Sequence, residues 1–536
     1  MKNSQKKNTV WQQLIDGKLN CEEAIKRIVD EEGIVNFSAI DTEVSQRFFK
    51  ALPTSRNFPP LLPLLLWQNC YYVGSPEILT EEIIQEIQQH HLAKIKIIPI
   101  AEKSYRDWYD LYRGQTEQIE NKLQKVTKAK LEKAANQVER IQAIIESALQ
   151  FNASDIHFQP TPEGLKLRYR IDGILWGIAT LPLEISRPMI TSLKVMAQLD
   201  IAEHRIPQDG RIGNQYSLKD KIGEKVSLRV NTLPCLENLE GEFSEKVVLR
   251  LLREENPFTD IKSLGFTAET QKIYERWLQE PQGIIIFTGP TGSGKTTTLY
   301  TSLSTIAQES VNVITIEDPV EYLLANITQT QINNTVGFTF AEGMRAILHQ
   351  DPDIILLGEI RDEETAATAI DAALTGHLVL TTLHTNDAVG AIPRFQKLGA
   401  DPSLISSALL GVVAQRLVRK VCPQCAESYQ PTAEDLKGLN LNLEDLDTSN
   451  WRKGKGCGQC FYSGYLGRQA IIELLQIDEP LQKMINDLGV RNQKSLIREG
   501  NLYSFRNAAI AKLQQGITTL EEIQRVLPRA VLQTSA

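Results

Sequence analysis

The chain has 536 residues, of which 42% are hydrophobic and 23% are charged, and its formal net charge is −8 at pH 7. This length exceeds what one hydrophobic core serves, so two to four domains are expected. Because the net charge is negative, the chain as a whole does not attract nucleic acid electrostatically. The first residues lead into no signal-peptide core and no apolar run is long enough to cross a bilayer, so we expect a cytoplasmic protein.

Residues 1–112 are predicted to form a small first domain. It is expected to contain a helix near residues 81–91 and a strand near 95–100, where isoleucines recur at short intervals. Residues 113–135 are rich in Gln, Glu and Lys. This composition predicts a solvated linker or an exposed helix in preference to a binding patch.

Two larger predicted domains follow along the chain. Strand and helix patterns alternate over residues 136–256, and a connection at about 254–262 leads into the last domain, residues 257–536. No internal repeat or low-complexity tract interrupts them. The last domain contains most of the residues that indicate a chemical function.

Residues 289–296 have the complete phosphate-loop pattern G-x-x-x-x-G-K-T, between a strand-like apolar run and a helix-compatible segment. Backbone N–H groups and the positive end of the helix would surround phosphate oxygens. Lys295 would reach the β- and γ-phosphates of ATP, and the Thr296 hydroxyl would bind Mg²⁺. The predicted nucleotide-binding residues are Gly289, Pro290, Thr291, Gly292, Ser293, Gly294, Lys295, Thr296 and Thr297.

Two further predicted strands, within residues 313–321 and 353–362, end in acidic residues. A parallel sheet binds its ligand at the carboxyl ends of its strands, so these carboxylates are expected beside the phosphate loop. Glu359 is predicted to orient and activate the attacking water, the alternative being a solvated acid at a strand end. Gly358 replaces the Asp that usually precedes such a Glu, so Mg²⁺ binding would depend on the loop threonine, water and Glu317.

Two histidines, His377 and His384, flank a third strand-like run. An imidazole near the γ-phosphate can sense or stabilise the charge that is transferred, and His384 is the catalytic candidate. Structural histidines with satisfied hydrogen bonds are the alternative interpretation.

Four of the seven cysteines form two C-x-x-C pairs, Cys422 with Cys425 and Cys457 with Cys460. A reducing compartment disfavours disulfides, and two such pairs joined by a loop of about 30 residues are typical of a metal site. Four thiolates suit tetrahedral Zn²⁺ without an open coordination position, which predicts a structural zinc module at about 418–468. A redox pair and coincidence remain alternatives.

These motifs resemble those of the secretion-ATPase superfamily, and most closely the assembly ATPases of type II secretion and type IV pilus systems. Residues 314–321 resemble the family's aspartate box, residues 345–362 its Walker B region and residues 376–387 its histidine box. The resemblance covers roughly residues 136–530. It implies an α/β fold with a RecA-like P-loop nucleotide domain, an α+β sensor-like domain, a small N-terminal docking domain and an inserted tetracysteine zinc module.

Within the family, the sensor-like domain closes over the nucleotide and supplies arginines to its phosphates. The resemblance implies that role for Arg205, Arg211 and Arg229, because segments around residues 201–211 and 227–230 match this domain. Guanidinium groups stabilise charge on a transferring phosphoryl group. Surface arginines in salt bridges are the alternative.

The resemblance implies a cytoplasmic ring-forming ATPase, a hexamer, that hydrolyses ATP to drive assembly of a type IV pilus or a type II secretion pseudopilus. Its expected partners are an inner-membrane platform protein, a cytoplasmic docking partner and further copies of itself, with no nucleic acid. The domain at residues 1–112 would dock on the platform. Two other classes remain open, a DNA-uptake or nucleic-acid motor ATPase and a nucleotide-gated scaffold with little turnover.

Overall fold

The computed structural model places most of the chain in two compact units, residues 1–119 and 120–536. Across the described residues, no helix has the length and apolar character needed to span a membrane. The described residues are 10, 14, 17–40, 42–52, 58–91, 93–108, 115–132, 134–213, 226–236, 243–253, 260–431, 436, 446–488, 501–528 and 531–532. Residues 254–259 of the predicted connection therefore lie outside them.

The first unit contains a three-stranded sheet in the order β1-β2-β3, in which β1 is antiparallel and β3 parallel to β2. Its elements are α1 (Cys21–Ile28), α2 (Thr42–Ala51), β1 (Leu62–Trp67), β2 (Cys70–Ser75), α3 (Glu81–His91), β3 (Lys94–Pro99) and α4 (Glu102–Trp108). Helix α3 and strand β3 confirm the helix predicted near residues 81–91 and the strand predicted near 95–100.

Helix α5 (Gln115–Leu131) lies in the segment predicted as a linker or exposed helix. The segment is helical, but part of its surface is buried. Leu123 and Thr127 are inaccessible to solvent, and the Thr127 hydroxyl lies 2.7 Å from that of Ser147. The polar composition of the segment conceals this packing, because the helix turns its few apolar groups to one side.

A six-stranded antiparallel sheet follows, in the order β6-β5-β4-β9-β8-β7. Apolar residues of alternating strand positions, such as Ile156 and Phe158, are fully buried on one face, and charged residues lie on the other. The elements are α6 (Gln137–Gln150), β4 (Ala153–Thr161), β5 (Gly164–Ile171), β6 (Ile174–Leu181), α7 (Leu183–Met196), β7 (Gln208–Ile212), β8 (Val226–Leu236) and β9 (Phe243–Arg253).

An eight-stranded sheet forms the rest of the second unit, in the order β12-β11-β13-β14-β10-β15-β18-β19. The first six strands are mutually parallel, and β18 and β19 run antiparallel to their neighbours. Its strands are β10 (Gly283–Thr288), β11 (Val313–Glu317), β12 (Thr328–Gln331), β13 (Ile354–Leu357), β14 (Leu378–Leu383), β15 (Leu409–Val421), β18 (Tyr465–Gln476) and β19 (Asn501–Tyr503).

Helices cover both faces of this sheet, and the pair β16 (Ala426–Ser428) and β17 (Arg452–Gly454) forms a separate small ribbon. The helices are α8 (Ala268–Trp277), α9 (Lys295–Ile306), α10 (Phe340–Leu348), α11 (Glu363–Leu374), α12 (Ala391–Lys397), α13 (Pro402–Ala408), α14 (Glu479–Leu488), α15 (Phe505–Gln514) and α16 (Leu520–Val526).

Strand β10 shows why both faces of this sheet must be covered. Ile284 and Ile286 contribute to the apolar core on one side, and Ile285 and Phe287 to the core on the other. All four side chains are fully buried, as is typical of a central parallel strand. The parallel strands thus direct their carboxyl ends to one edge, where loops are free to form a ligand site.

Candidate active site and metal centre

The phosphate loop connects the end of β10 to the start of α9. Gly289, Gly292 and Gly294 have φ values of 142°, 77° and 89°, in the region that favours glycine. Gly294 caps α9 without a side-chain hydrogen bond. The first N–H groups of the helix are consequently available to an anionic ligand, and the helix dipole adds positive potential there.

Lys295 bonds to the phosphate loop itself. Its Nζ donates to the carbonyl oxygens of Gly289 at 2.7 Å and Pro290 at 3.3 Å. Burial lowers the pKa of Lys295, the charge of Arg416 lowers it further, and Glu359 opposes both effects. A bound phosphate would stabilise the charged ammonium more than these neutral carbonyls do.

Strand β15 supports the loop from behind. A methyl group added at Gly289 would lie 2.5 Å from the Gln415 carbonyl oxygen, and one at Gly294 would lie 2.8 Å from Gln415 Nε2. The Thr298 hydroxyl of α9 also donates to Gln415 Oε1 at 3.0 Å. Close packing against β15 therefore requires glycine at two loop positions, and no motif in the sequence indicated this role of Gln415.

Gly358 follows β13 and occupies the position where an Asp was expected to hold Mg²⁺. Its N–H donates to the Ile316 carbonyl at 2.8 Å, and its own carbonyl accepts from the Thr382 hydroxyl at 2.7 Å. A Cβ at this position would lie 3.1 Å from the Ile316 oxygen and 3.3 Å from Cα of Glu317. A side chain at this position would therefore require β11 to shift by a few tenths of an ångström.

Glu359 is held between Arg361 and His384 at the carboxyl edge of the sheet. Arg361 forms an ion pair with Oε1, and His384 Nε2 lies 3.2 Å from Oε2. Burial raises the pKa of Glu359, but the hydrogen bond and charge of Arg361, together with His384, outweigh burial and leave it below its usual value. The carboxylate is thus ionised at neutral pH.

The structure separates the two histidines. His384 contacts Glu359, whereas His377 Nδ1 lies 2.8 Å from the Ala372 carbonyl at the end of α11. His377 therefore stabilises a helix end, and His384 is the histidine that the fold brings to the predicted catalytic carboxylate. Sequence position did not distinguish them, because both flank the same strand.

Glu317, the last residue of β11, has a buried carboxylate that three side chains hold. Tyr300 donates to Oε2, Thr315 donates to Oε1 at 2.6 Å and Gln329 donates to Oε1 at 3.2 Å. This cluster joins α9 to β11 and β12. The prediction that Glu317 helps to bind Mg²⁺ stays a prediction, and its observed partners are protein groups.

The three predicted arginines have different surroundings. Arg205 is 86% exposed and forms an ion pair with Glu203 at 2.7 Å. Arg211 donates to the Val320 carbonyl at 2.9 Å, in the segment that follows β11. Arg211 thus reaches the acidic edge of the nucleotide domain, whereas Arg205 does not join it in this structure.

Arg211 and Arg229 belong to a row of charged side chains that crosses five strands of the antiparallel sheet. The strand register places Arg211 opposite Arg229, Arg229 opposite Arg250, and Asp155 between Arg250 and Arg170. Asp155 is 7% exposed and lies 3.1 Å from Arg250 and 3.6 Å from Arg170. Asp155 therefore neutralises the Arg170 and Arg250 end of the row, and Asp209 lies 3.6 Å from Arg229 at the other end.

A buried ion pair braces the loop that carries Arg205. Lys194 and Glu245 are both inaccessible and lie 2.9 Å apart. Lys194 also donates to the Glu203 carbonyl at 2.6 Å, and His204 Nδ1 lies 2.7 Å from Glu245 Oε2. These residues are far apart in the sequence, so residue spacing gave no signal of the brace.

The four predicted metal ligands converge. Their sulfur atoms all lie within 4.8 Å of one another, and three of the Sγ–Sγ distances are 3.7, 3.8 and 3.9 Å. A tetrahedron with Zn–S bonds of about 2.3 Å has S–S edges of about 3.8 Å. The cluster of Cys422, Cys425, Cys457 and Cys460 therefore fits a zinc ion.

The thiols of the cysteine cluster have different pKa values, because their surroundings differ. Burial raises the pKa of Cys425 to about 12, whereas backbone hydrogen bonds from Cys460 and Gln459 hold that of Cys457 at about 7. Four thiolates this close repel one another, and a divalent cation would remove that cost.

The second cysteine loop, residues 455–468, also contacts the elements that precede and form the antiparallel sheet. Three side chains from separate segments contact this loop through an amine, an aromatic ring and a carboxylate, respectively. The pairs are Lys122 Nζ with the Gly458 carbonyl (2.9 Å), the Phe151 ring with that of Phe461 (4.8 Å) and Asp172 Oδ2 with the Gly467 N–H (3.1 Å).

The phosphate loop at the carboxyl edge of a doubly covered parallel sheet, with Glu359 beside it, defines a P-loop ATPase. Residues 130–525 match the family model described as type II/IV secretion system protein. The chain belongs to this family.

Individual relatives agree with this assignment. Type II secretion system protein E of Pseudomonas aeruginosa is 43% identical over 386 residues, 72% of this chain and 74% of that protein. Type IV pilus assembly ATPase PilB of Thermus thermophilus is 40% identical over 453 residues, 84% of this chain and 48% of that protein. The structure of the Legionella pneumophila ATPase DotB matches with a TM-score of 0.52 at 22% identity, covering 72% of this chain and 94% of DotB. The predicted α/β, RecA-like fold is confirmed.

Proposed function

We propose that the chain is a cytoplasmic, ring-forming ATPase that hydrolyses ATP to drive assembly of a type IV pilus or a type II secretion pseudopilus. One observation carries the hydrolytic part of this proposal: an ionised Glu359, held by Arg361 and His384, stands at the same sheet edge as a complete phosphate loop. The relatives named above supply the two candidate machines.

The residues at this edge suit an in-line displacement at the γ-phosphate. Backbone N–H groups of the loop and Lys295 would bind the phosphates, and Glu359 would orient the water and accept its proton. Mg²⁺ would be held by Thr296 and would neutralise the β- and γ-phosphates. His384, hydrogen-bonded to Glu359, would hold that carboxylate in one rotamer.

Arg205, Arg211 and Arg229 would stabilise the developing charge from the sensor-like domain. Arg211 already contacts the segment after β11, and its neighbour Arg229 is 37% exposed on the same sheet face. Arg205 is almost fully exposed, and it would exchange its ion pair with Glu203 for the phosphates of a neighbouring subunit. This arrangement supports a homo-oligomer, which we propose is a hexamer.

The cysteine cluster and the domain at residues 1–112 would have supporting roles in the same secretion or pilus machine. The tetracysteine cluster would hold one structural Zn²⁺, because all its thiols are engaged with one another and no open position remains. Residues 1–112 would dock the ring on an inner-membrane platform protein or a cytoplasmic partner. The chain would then lie at the inner membrane through these protein partners.

Steady-state ATP hydrolysis, measured against protein concentration, tests this proposal. Wild-type turnover per subunit should rise with concentration as rings assemble, and Glu359→Gln should lose it while still binding ATP·Mg. Glu309→Gln, a change at an exposed loop acid, is the matched control and should keep wild-type turnover. The isosteric amide preserves the size of the side chain but cannot accept a proton.

Other outcomes would support the rival classes. ATP binding with negligible hydrolysis at every concentration, also when membranes with the platform protein are supplied, would favour a nucleotide-gated scaffold. Turnover stimulated by DNA and suppressed by salt would favour a nucleic-acid motor. Wild-type turnover in Glu359→Gln would remove Glu359 from the catalytic role.

A further inference from the structure

Arg416 is a buried cation on β15, directly behind the phosphate loop. The residue is 8% exposed, its Nη1 donates to the Gln415 carbonyl at 3.1 Å and its Nη2 donates to the Asn386 carbonyl. The guanidinium also lies 5.4 Å from the centre of the Phe505 ring. No sequence motif singled out this residue.

The positive charge of Arg416 lacks a bonded counter-ion among the described residues. Both of its hydrogen-bond acceptors are neutral carbonyls, and it forms no ion pair there. Glu473 and Asp387 lie near enough to favour its charged form, but Glu473 accepts the N–H groups of Ala388 and Phe505. Burial raises the pKa of Glu473 to about 7, so its negative charge is incomplete near neutral pH.

A buried charge without a partner is costly, and proteins usually compensate it. A second cation, the half-buried Lys295, lies on the adjacent phosphate loop. Arg416 Nη1 would lie 3.2 Å from a Cβ placed on Gly289, and Lys295 on the same loop also bonds carbonyl oxygens. Burial lowers the pKa of Lys295, and the nearby charge of Arg416 lowers it further.

An anion bound in the phosphate loop would remove this cost. We propose that Arg416 is a nucleotide-binding residue, whose buried guanidinium supplies positive charge to the phosphates from behind the loop. The inference rests on the proposed function and extends its binding site to β15. Through Asn386, Arg416 also bonds the segment that carries His384, so the same group touches two parts of the site.

The test compares Arg416→Met and Arg416→Lys with Arg419→Met in the full-length chain. Arg419 lies on the same strand and pairs with the inaccessible carboxylate of Glu522 at 2.8 Å, so it is a structural arginine. Equilibrium binding of ADP·Mg and ATP·Mg and the thermal unfolding midpoint, with and without nucleotide, are measured for each protein.

Arg416→Met is expected to weaken nucleotide binding by about 10- to 100-fold, the range for loss of a charge-assisted contact. Without nucleotide, the thermal unfolding midpoint of Arg416→Met should equal that of the wild type. The substitution loses two hydrogen bonds to carbonyl groups, but it also removes the cost of burying an unpaired charge. The midpoint increase on adding nucleotide should shrink. Arg416→Lys should retain most of the affinity, and Arg419→Met should lose stability without losing affinity.

Wild-type affinity in Arg416→Met would overturn the inference and leave the proposed ATPase intact. A fall of its nucleotide-free midpoint like that of Arg419→Met, with the nucleotide-induced increase unchanged, would make Arg416 structural and would also overturn it. Absence of any nucleotide binding by the wild-type chain would overturn both the inference and the proposed function.

Discussion

At the scale of single residues, the phosphate loop depends on positions where only glycine fits. Gly289 and Gly294 combine positive φ values with close contacts from β15, and Gly358 lies against β11. At Gly289 and Gly294, the absence of a side chain allows the left-handed backbone and the close contact with β15. Lys295 and Glu359 are the charged residues that we propose bind the phosphates and activate water at this site.

Replacement of Lys295 by Ala should abolish turnover, because the substitution removes the cation that we propose binds the β- and γ-phosphates. We expect a loss of about 100-fold or more in kcat/KM. The measurement is steady-state phosphate release, with Lys397→Ala, an exposed lysine, as the control. Wild-type-like hydrolysis by Lys295→Ala would contradict the phosphate-loop assignment.

Glu473 should make stability depend on pH. Because burial raises its pKa to about 7, the folded state holds a proton that the unfolded state releases near its usual lower pKa. The free energy of unfolding therefore falls as the pH rises from the usual pKa of a Glu to about 7, by about 3 kcal/mol in total. Glu473→Gln should gain in thermal midpoint relative to wild type between pH 5 and 8. A difference that is the same at every pH would contradict this prediction.

At the scale of elements, the cysteine cluster holds together a loop that other elements use. The sulfur atoms bring together two chain segments, and the loop at residues 455–468 then receives Lys122, Phe151 and Asp172 from three separate segments. A metal that orders this loop would therefore also order its contacts with the antiparallel sheet domain.

Cys425→Ser should release zinc and destabilise these contacts, because structural zinc sites contribute roughly 10–16 kcal/mol of apparent binding free energy. Metal analysis should find about one zinc fewer per chain, and hydrogen exchange should accelerate in α5 and α6. Cys70→Ser, outside the cluster, is the control. Phe461→Ala should keep its zinc but accelerate exchange in the same two helices. Unchanged zinc content in Cys425→Ser would exclude the site.

At the scale of the whole molecule, the nucleotide edge combines groups from two sheets. The parallel sheet provides the loop and Glu359, and the antiparallel sheet provides a row of arginines that ends at Arg211 beside Val320. A movement of one sheet relative to the other would change which cations face the phosphates. If the arginines bind the phosphates as proposed, ATP binding would be linked to the arrangement of the two sheets.

Arg205→Ala should lower turnover only where rings form, because Arg205 is exposed in the single chain and would act on a neighbour. The nucleotide affinity of dilute protein should not change. Turnover and light-scattering mass, both measured against concentration, test this expectation. An equal loss of activity at every concentration would instead indicate a role within one subunit, and no loss would remove Arg205 from the site.

Local sequence was sufficient to predict several parts of this protein. The phosphate loop, the acidic strand ends and the paired cysteines are each defined by residues close together in the chain, so the residue types and their spacing indicate the chemistry directly. Helix α3 and strand β3 were predictable for the same reason, since periodicity reports which side of an element is buried.

Tertiary structure decided what depends on contacts between distant segments. It placed His384, and not His377, against Glu359; it set Arg416 behind Gly289; and it aligned Arg211 with Arg229 in one row. These pairings come from strand register and sheet order, which no local pattern encodes. The sequence by itself therefore determined the reaction class and the four cysteines that cluster, whereas the fold decided which charged side chains lie beside the phosphate loop.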